Sequence, residues 1–353
     1  MPSGLDFMSE IVERTGASDI IFAPGAPAAI WVAGRMRFLE TEPLTPESIA
    51  EMFIPLLTAE QAGRLKEMGD LDVSIGRAGV GRFRLNVHRQ RGSLSVATRF
   101  IPHEIPAFDQ LRLPARVLDF ARLPRGMVLV TGGAATGKST TLAAMINHMN
   151  HTYAYHIITL EDPIEYTFRH AKSVVEQREI GVDSPSFASA LRHVVRQRPD
   201  VVLIGEMRDL ETIATALTAA EAGHLVLATL HTNSAVQTID RIIDVFPAAQ
   251  QSQVRIQLSA ALQGVCCQML FHDALTDGQV AAVEVLVPTQ PIRRAIRDSD
   301  THLIQGMVEM GLRDGMQTMD KAVADLVREG RITADEALAS AQDPEKVRKI
   351  LAA

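Results

Sequence analysis

Cysteine is nearly absent: two occur in 353 residues, and they are neighbours, Cys266-Cys267. Adjacent cysteines seldom bridge and offer no metal-ligand spacing, which argues against a disulfide framework or a cysteine-built zinc site. The pair is read as reduced core residues of a cytosolic protein, inside an apolar helical stretch. Aromatic residues make up only 5% of the chain, so its cores must be packed by Ala, Val, Ile and Leu. No apolar run reaches the roughly 18 residues of a membrane span. Residues Leu5-Asp6-Phe7-Met8-Ser9-Glu10 lack the basic-then-apolar order of a signal peptide. Membrane association is therefore expected to be peripheral, with no integral segment. A net charge of −7 withholds the basic footprint of a nucleic-acid partner. No Asn-Lys-x-Asp guanine-reading motif occurs either.

What the chain does have is 46% apolar content, at a length that favours two domains over one core. Residues 1–102 read as an α+β domain. An amphipathic helix ends at Gly16, a strand covers 19–22, and a second strand from Ile30 breaks at Gly34. A helix opens at Thr45-Pro46 with Thr45 as N-cap. Two strands close the unit, 81–88 and 93–100; the first alternates Phe83, Leu85 and Val87 with Arg82, Arg84 and Asn86. Prolines 102, 106 and 114 mark an interdomain linker over 103–115. From 116 to 290, Val/Ile/Leu runs alternate with helical patterns, the signature of a parallel sheet covered on both faces. Residues 291–353 read as helical, with a capping box at Thr333-Ala334-Asp335-Glu336.

One segment carries explicit chemistry. Residues 132–139, Gly132-Gly133-Ala134-Ala135-Thr136-Gly137-Lys138-Ser139, match the P-loop pattern in full, between an apolar run (127–130) and a helical one starting at Thr140. Loop amides and the positive helix end wrap a phosphate chain. Lys138 supplies charge at the β/γ-phosphates, and the Ser139 hydroxyl can ligate Mg²⁺. The motif implies a nucleoside triphosphate. Three further segments fit it. Glu161-Asp162-Pro163-Ile164-Glu165 ends a strand, where ligands of parallel sheets lie, and one of its acids can orient a water as general base. Val201 to Ile204 run into Gly205-Glu206, a Walker-B-like acid suited to holding Mg²⁺ through water. His224 and His231 bracket a third apolar strand.

These segments, with Gly16-Ala17-Ser18-Asp19, Arg82-Phe83-Arg84-Leu85-Asn86, Gln177-Arg178-Glu179, 205–212, 223–233, 240–247 and Gly315-Met316-Gln317-Thr318, resemble the hexameric secretion ATPases. Among these they resemble the type IV pilus retraction ATPases, the PilT family. The resemblance runs in order along nearly the whole chain. It implies a PAS-like N-terminal domain followed by a RecA-like ATPase domain with a helical C-terminal extension. It implies ATP with Mg²⁺ as cofactors, and a hydrolase that drives pilin disassembly and twitching. Glu165 matches the family's catalytic glutamate, Glu206 its atypical Walker B acid, and His224 and His231 its nucleotide-sensing histidines. Arg84 and Arg99 match arginine fingers acting in trans. The implied partners are five further copies of the chain, an inner-membrane platform protein, and a paralogous retraction ATPase. The implied location is cytoplasmic, at the base of the pilus.

Rival readings are an accessory subunit of low activity and an extension or type II secretion ATPase. The latter usually carries a four-cysteine zinc insertion that this chain cannot build. Where the family P-loop has glycine, this one has Ala135. A Cβ at a position needing φ > 0 costs of order 1 kcal/mol, so two expectations stand: a weaker nucleotide grip or slower turnover, or a neutral alanine whose strain the doubled Gly132-Gly133 redistributes. The family's retraction-associated Ala-Ile-Arg motif is matched only in part by residues 291–297.

Overall fold

The computed structural model describes residues 3–32, 35–77, 79–102, 105–276 and 278–352. The expected strand break at Gly34 lies outside them, as do residues 103 and 104. The chain forms two compact units, Met1–Glu104 and Ile105–Ala353.

The first unit is an antiparallel sheet with helices. Its strands are β1 (Asp19–Phe22), β2 (Ala29–Val32), β3 (Arg35–Phe38), β4 (Asp70–Arg77), β5 (Gly81–Gln90) and β6 (Ser93–Pro102), in spatial order β3-β2-β1-β6-β5-β4. The helix Gly4–Thr15 stops at Gly16, whose left-handed φ of 67° lets its N–H reach back to Val12 O. Thr45 caps Pro46–Phe53 in a capping box closed by Ser48, a device worth about 1 kcal/mol. Phe83, Leu85 and Val87 are fully buried along β5, so the alternation in the sequence does mark an inner face. They meet Ile20, Phe22, Phe53 and Val96 in one core. The helix Ala59–Met68 and strands β3 and β4 are additions to the sequence reading.

The second unit holds a seven-stranded sheet: β7 (Gly126–Thr131), β8 (His156–Glu161), β9 (Val174–Glu179), β10 (Val201–Ile204), β11 (Leu225–Leu230), β12 (Leu262–Asp273) and β13 (Gly278–Leu286). The order is β13-β12-β7-β11-β10-β8-β9. All neighbours are parallel except β12 with β13. Both faces are covered. Met127 and Leu129 of β7 enter one core while Val128 and Val130 enter the other, as a two-residue side-chain period requires. The stretch expected as linker contains a 3₁₀ turn, Phe108–Leu111, and Phe108 and Leu113 pack on this unit's core.

One expectation is corrected. Cys266 and Cys267 are buried and free, as read, but they lie in β12 and not in a helix. A strand flanked by strands and covered on both faces is apolar without alternation, so its sequence is indistinguishable from a buried helix. Beyond β13 the chain is helical, ending in Met319–Arg328, Ala334–Ser340 and Pro344–Ala352. Val280, Ala282 and Cys267 receive these helices, and Thr333 with Glu336 forms the expected capping box. No helix among the described residues is long and apolar enough to cross a membrane.

Candidate active site

The loop from β7 to the helix Lys138–Thr152 forms the floor of a pocket of about 640 Å³ at the carboxyl ends of the parallel strands. Gly132 is irreplaceable on geometric grounds. Its φ is 141°, and a Cβ there would lie 2.4 Å from Gln268 O and 2.6 Å from Thr136 Oγ1. Gly137 takes φ 82° at the helix N-cap. Between them Ala135 also takes a positive φ, 57°, so the strain expected from the sequence is present in the backbone. Ala134 and Ala135 are exposed on the loop, and Thr136 Oγ1 donates to Gly133 O at 3.1 Å.

Lys138 is buried at 8% exposure, its Nζ donating to Gly132 O at 3.0 Å and Gly133 O at 2.5 Å. Burial pulls its ammonium below the usual lysine value, while the carboxylates of Glu206 and Glu165 act the other way. A phosphate chain would add negative charge at the same place and complete that compensation. Ser139 and Thr140 follow on the first helical turn and line the pocket; Thr140 Oγ1 pairs with the Tyr166 hydroxyl at 2.9 Å.

The acids divide by environment. Glu161, at the end of β8, receives Thr159 Oγ1 at 2.6 Å and Gln177 Nε2 at 3.1 Å on Oε1. Its Oε2 faces the Glu165 N–H at 3.5 Å. Burial pushes the Glu161 carboxyl above the ordinary value, against the pull of those donors. Glu161 thus holds the turn, whose Asp162–Pro163 peptide is cis. Glu165 is exposed on the pocket wall, which leaves its carboxylate available to a water. Glu206 follows β10 and is half-buried. Its Oε1 takes both Arg208 Nε at 2.6 Å and His231 Nε2 at 3.2 Å. Burial would raise this carboxyl, but the Arg208 hydrogen bond and the His231 charge overcome it and hold it below the ordinary value.

The sheet brings together the P-loop, Glu161, Glu165, Glu206 and His231. It does not bring His224. This residue sits at the start of β11, where its Nδ1 donates to Pro199 O at 2.7 Å. His231 follows the other end of the same strand, on the order of 20 Å away at the rise of a β-strand. His224, expected to bind nucleotide, does not line this pocket. Gln177 and Gln268 were not singled out as site residues. Gln268 is buried behind the loop, with Nε2 donating to Thr141 Oγ1 at 2.9 Å.

No group of three or more His, Cys, Asp or Glu among the described residues could hold a metal alone. Ser139 and Glu206 are hard oxygen donors suited to Mg²⁺, a cation that keeps several waters and leans on substrate phosphates. The donor set fits that mode.

Arg84 and Arg99 belong to the first unit. They are direct cross-strand partners on β5 and β6. Arg99 Nε pairs with Asp19 at 2.8 Å, and Arg84 has no ion-pair partner among the described residues. With Trp31, Asp72 and Asn86 they line a groove on the sheet.

Comparison with known proteins agrees with this geometry. The family model described as Type II/IV secretion system protein matches residues 110–278. The type IV pilus retraction ATPase PilT of Pseudomonas aeruginosa is 41% identical over 332 residues, covering 94% of this chain and 96% of its own. The chain belongs to the PilT family of secretion ATPases. The type IV pilus ATPase PilU of the same organism is 38% identical over 341 residues, covering 97% of this chain and 89% of its own. A crystal structure of the pilus retraction motor PilT with bound ADP superposes with a TM-score of 0.92 at 46% identity, covering 99% of this chain and 100% of that one. The α/β architecture of both units is the fold of that relative.

Proposed function

We propose that this chain hydrolyses ATP with Mg²⁺ to power type IV pilus retraction, as a homo-hexameric ring at the cytoplasmic base of the pilus. The observation that carries the reading is one pocket in which the P-loop lysine, an exposed carboxylate and a Walker-B-like carboxylate converge, in a chain that matches PilT over 94% of its length. P-loop amides and the N terminus of the helix Lys138–Thr152 bind the phosphates. Lys138 leaves its carbonyl partners to meet the β/γ-oxygens. Ser139, and Glu206 through water, would hold Mg²⁺, which would neutralise phosphate charge. Glu165 orients the attacking water and takes its proton. His231 and Arg208 both bond Glu206 Oε1 and hold that carboxylate in place.

Arg84 supplies the missing cation to a neighbouring subunit's γ-phosphate, the arrangement worth roughly 10³–10⁵ in rate in phosphoryl-transfer enzymes. Arg99, its cross-strand neighbour, is the second candidate for that role. The force acts on an inner-membrane platform protein, with a paralogous ATPase as a further partner. The retention of Lys138, Glu165 and Glu206 in one pocket favours a working motor over an accessory subunit. Purified protein should turn over ATP only with Mg²⁺ present, and turnover per subunit should rise with protein concentration. Concentration-independent turnover by a proven monomer would refute the ring.

A further inference from the structure

Glu284 is a carboxylate with no exposure, in β13. A buried carboxylate is tolerated only with donors around it, and here the donors are two helix N termini together with the Gln342 side chain. Oε1 accepts the N–H of Ala235 at 2.6 Å, and Oε2 accepts the N–H of Met319 at 3.4 Å. Ala235 opens the helix Ala235–Asp244, and Met319 opens Met319–Arg328. First-turn amides have no partner within their own helix and carry the positive end of its dipole, so one carboxylate serves both ends. Each helix already has a local cap. Ser234 Oγ accepts Gln237 N–H and Thr318 Oγ1 accepts Lys321 N–H, both at 3.2 Å. Glu284 is an extra tie, supplied by a third element.

The Ala235 helix begins where the pocket loop ends. His231 touches Glu206, and residues 232–234 lead from it straight to Ala235. The same short segment is held again from the C-terminal side. Gln342 Nε2 donates to Asn233 O at 3.3 Å, while the Gln342 N–H donates to Asp320 Oδ1 at 2.8 Å. Asp320 is the second residue of the Met319 helix. The segment behind His231 and the N terminus of that helix thus share one carboxylate and one glutamine. No step assigned to the nucleotide pocket uses either.

We propose that Glu284 is a positioning residue for hydrolysis: it fixes the 231–234 segment against the C-terminal helices, so that nucleotide in the pocket is felt at Met319–Arg328. The kinetic part rests on the ATPase reading; the exchange part needs only nucleotide binding. Glu284→Gln keeps the volume but offers one acceptor oxygen where two amides need one each.

Hydrogen exchange of the intact protein with and without saturating ADP tests the link. In wild type, ADP should slow exchange in both 232–238 and 319–322. In Glu284→Gln the first response should remain and the second should fall to less than about half. Equal responses in the two proteins, or none at 319–322 in wild type, would overturn the proposal. In steady-state assays, Glu284→Gln should lower kcat by at least about fivefold with KM for ATP within about twofold. In a His231→Ala background the same change should cost less than about twofold, because coupled residues are non-additive. Undiminished kcat, or full additivity, would refute a role through His231. Gln342→Ala, on the surface, should shift both readings in the same direction with an unchanged melting temperature, and it carries the test if Glu284→Gln does not fold. Wild-type protein without turnover would overturn the ATPase reading alone, and the exchange result would still decide this one.

Discussion

Replacing Ala135 with glycine isolates one energetic quantity in the P-loop. Ala135 takes φ 57° while its side chain is exposed, so the cost lies in its own backbone and not in a neighbour's packing. Left-handed backbone costs an L-residue roughly 1–2 kcal/mol. Glycine removes that cost but brings roughly 0.5–1 kcal/mol of extra chain entropy to be lost. The difference is on the order of 0.5–1 kcal/mol, or about two- to fivefold in a binding constant. Titration of a slowly hydrolysed ATP analogue by calorimetry should therefore give a Kd for Ala135→Gly two- to fivefold below wild type. Ala135→Val sharpens the test, because a β-branched residue is a genuine outlier at positive φ, and its Kd should rise. If all three proteins bind equally, backbone strain at residue 135 has no bearing on nucleotide grip.

Lys138→Ala should lose nucleotide binding, whereas Glu165→Gln should bind as wild type and lose most turnover; substantial turnover by Glu165→Gln would move the base role to another acid. Arg84 and Arg99 are like charges directly opposite each other, a pairing that is destabilising. Arg84→Ala should thus melt no lower than wild type while its turnover drops at least about tenfold, and a parallel loss of stability and activity would make Arg84 structural. Burial pushes the Cys267 thiol up to about 12 and raises Cys266 further. Iodoacetamide at pH 8 should leave the native protein unlabelled and alkylate both cysteines in guanidinium; fast labelling of native protein would contradict their place in β12.

The phosphate cradle was legible because each of its residues is demanded by local chemistry: glycines where the backbone turns, lysine for charge, serine for a cation. Caps at Thr45 and Thr333 were legible for the same reason. Strands β7, β8, β10 and β11 were readable as Val/Ile/Leu runs, whereas β9 carries only two apolar residues and was not. Strand β12 was not, since the run Val265 to Leu270 has neither a period of two nor one of 3.6. Strand β4 and the helix Ala59–Met68 also went unread. The helix buries only Leu65 fully and so leaves a weak stripe. That His224 and His231 stand at opposite ends of β11 was legible from the apolar run they bracket. Glu284 was invisible because its partners lie 49 and 35 residues away in sequence.

The most direct test of the central claim is made in cells whose copy of this chain carries Glu165→Gln, beside a deletion and a restored wild type. Surface pili are counted by electron microscopy and twitching is scored on agar. Deletion and Glu165→Gln should both leave cells with more surface pili than wild type and no twitching, and the wild-type chain should restore both. Cells that lose pili on deletion would show that the chain drives extension, and normal twitching with Glu165→Gln would show that its ATP hydrolysis does not power retraction.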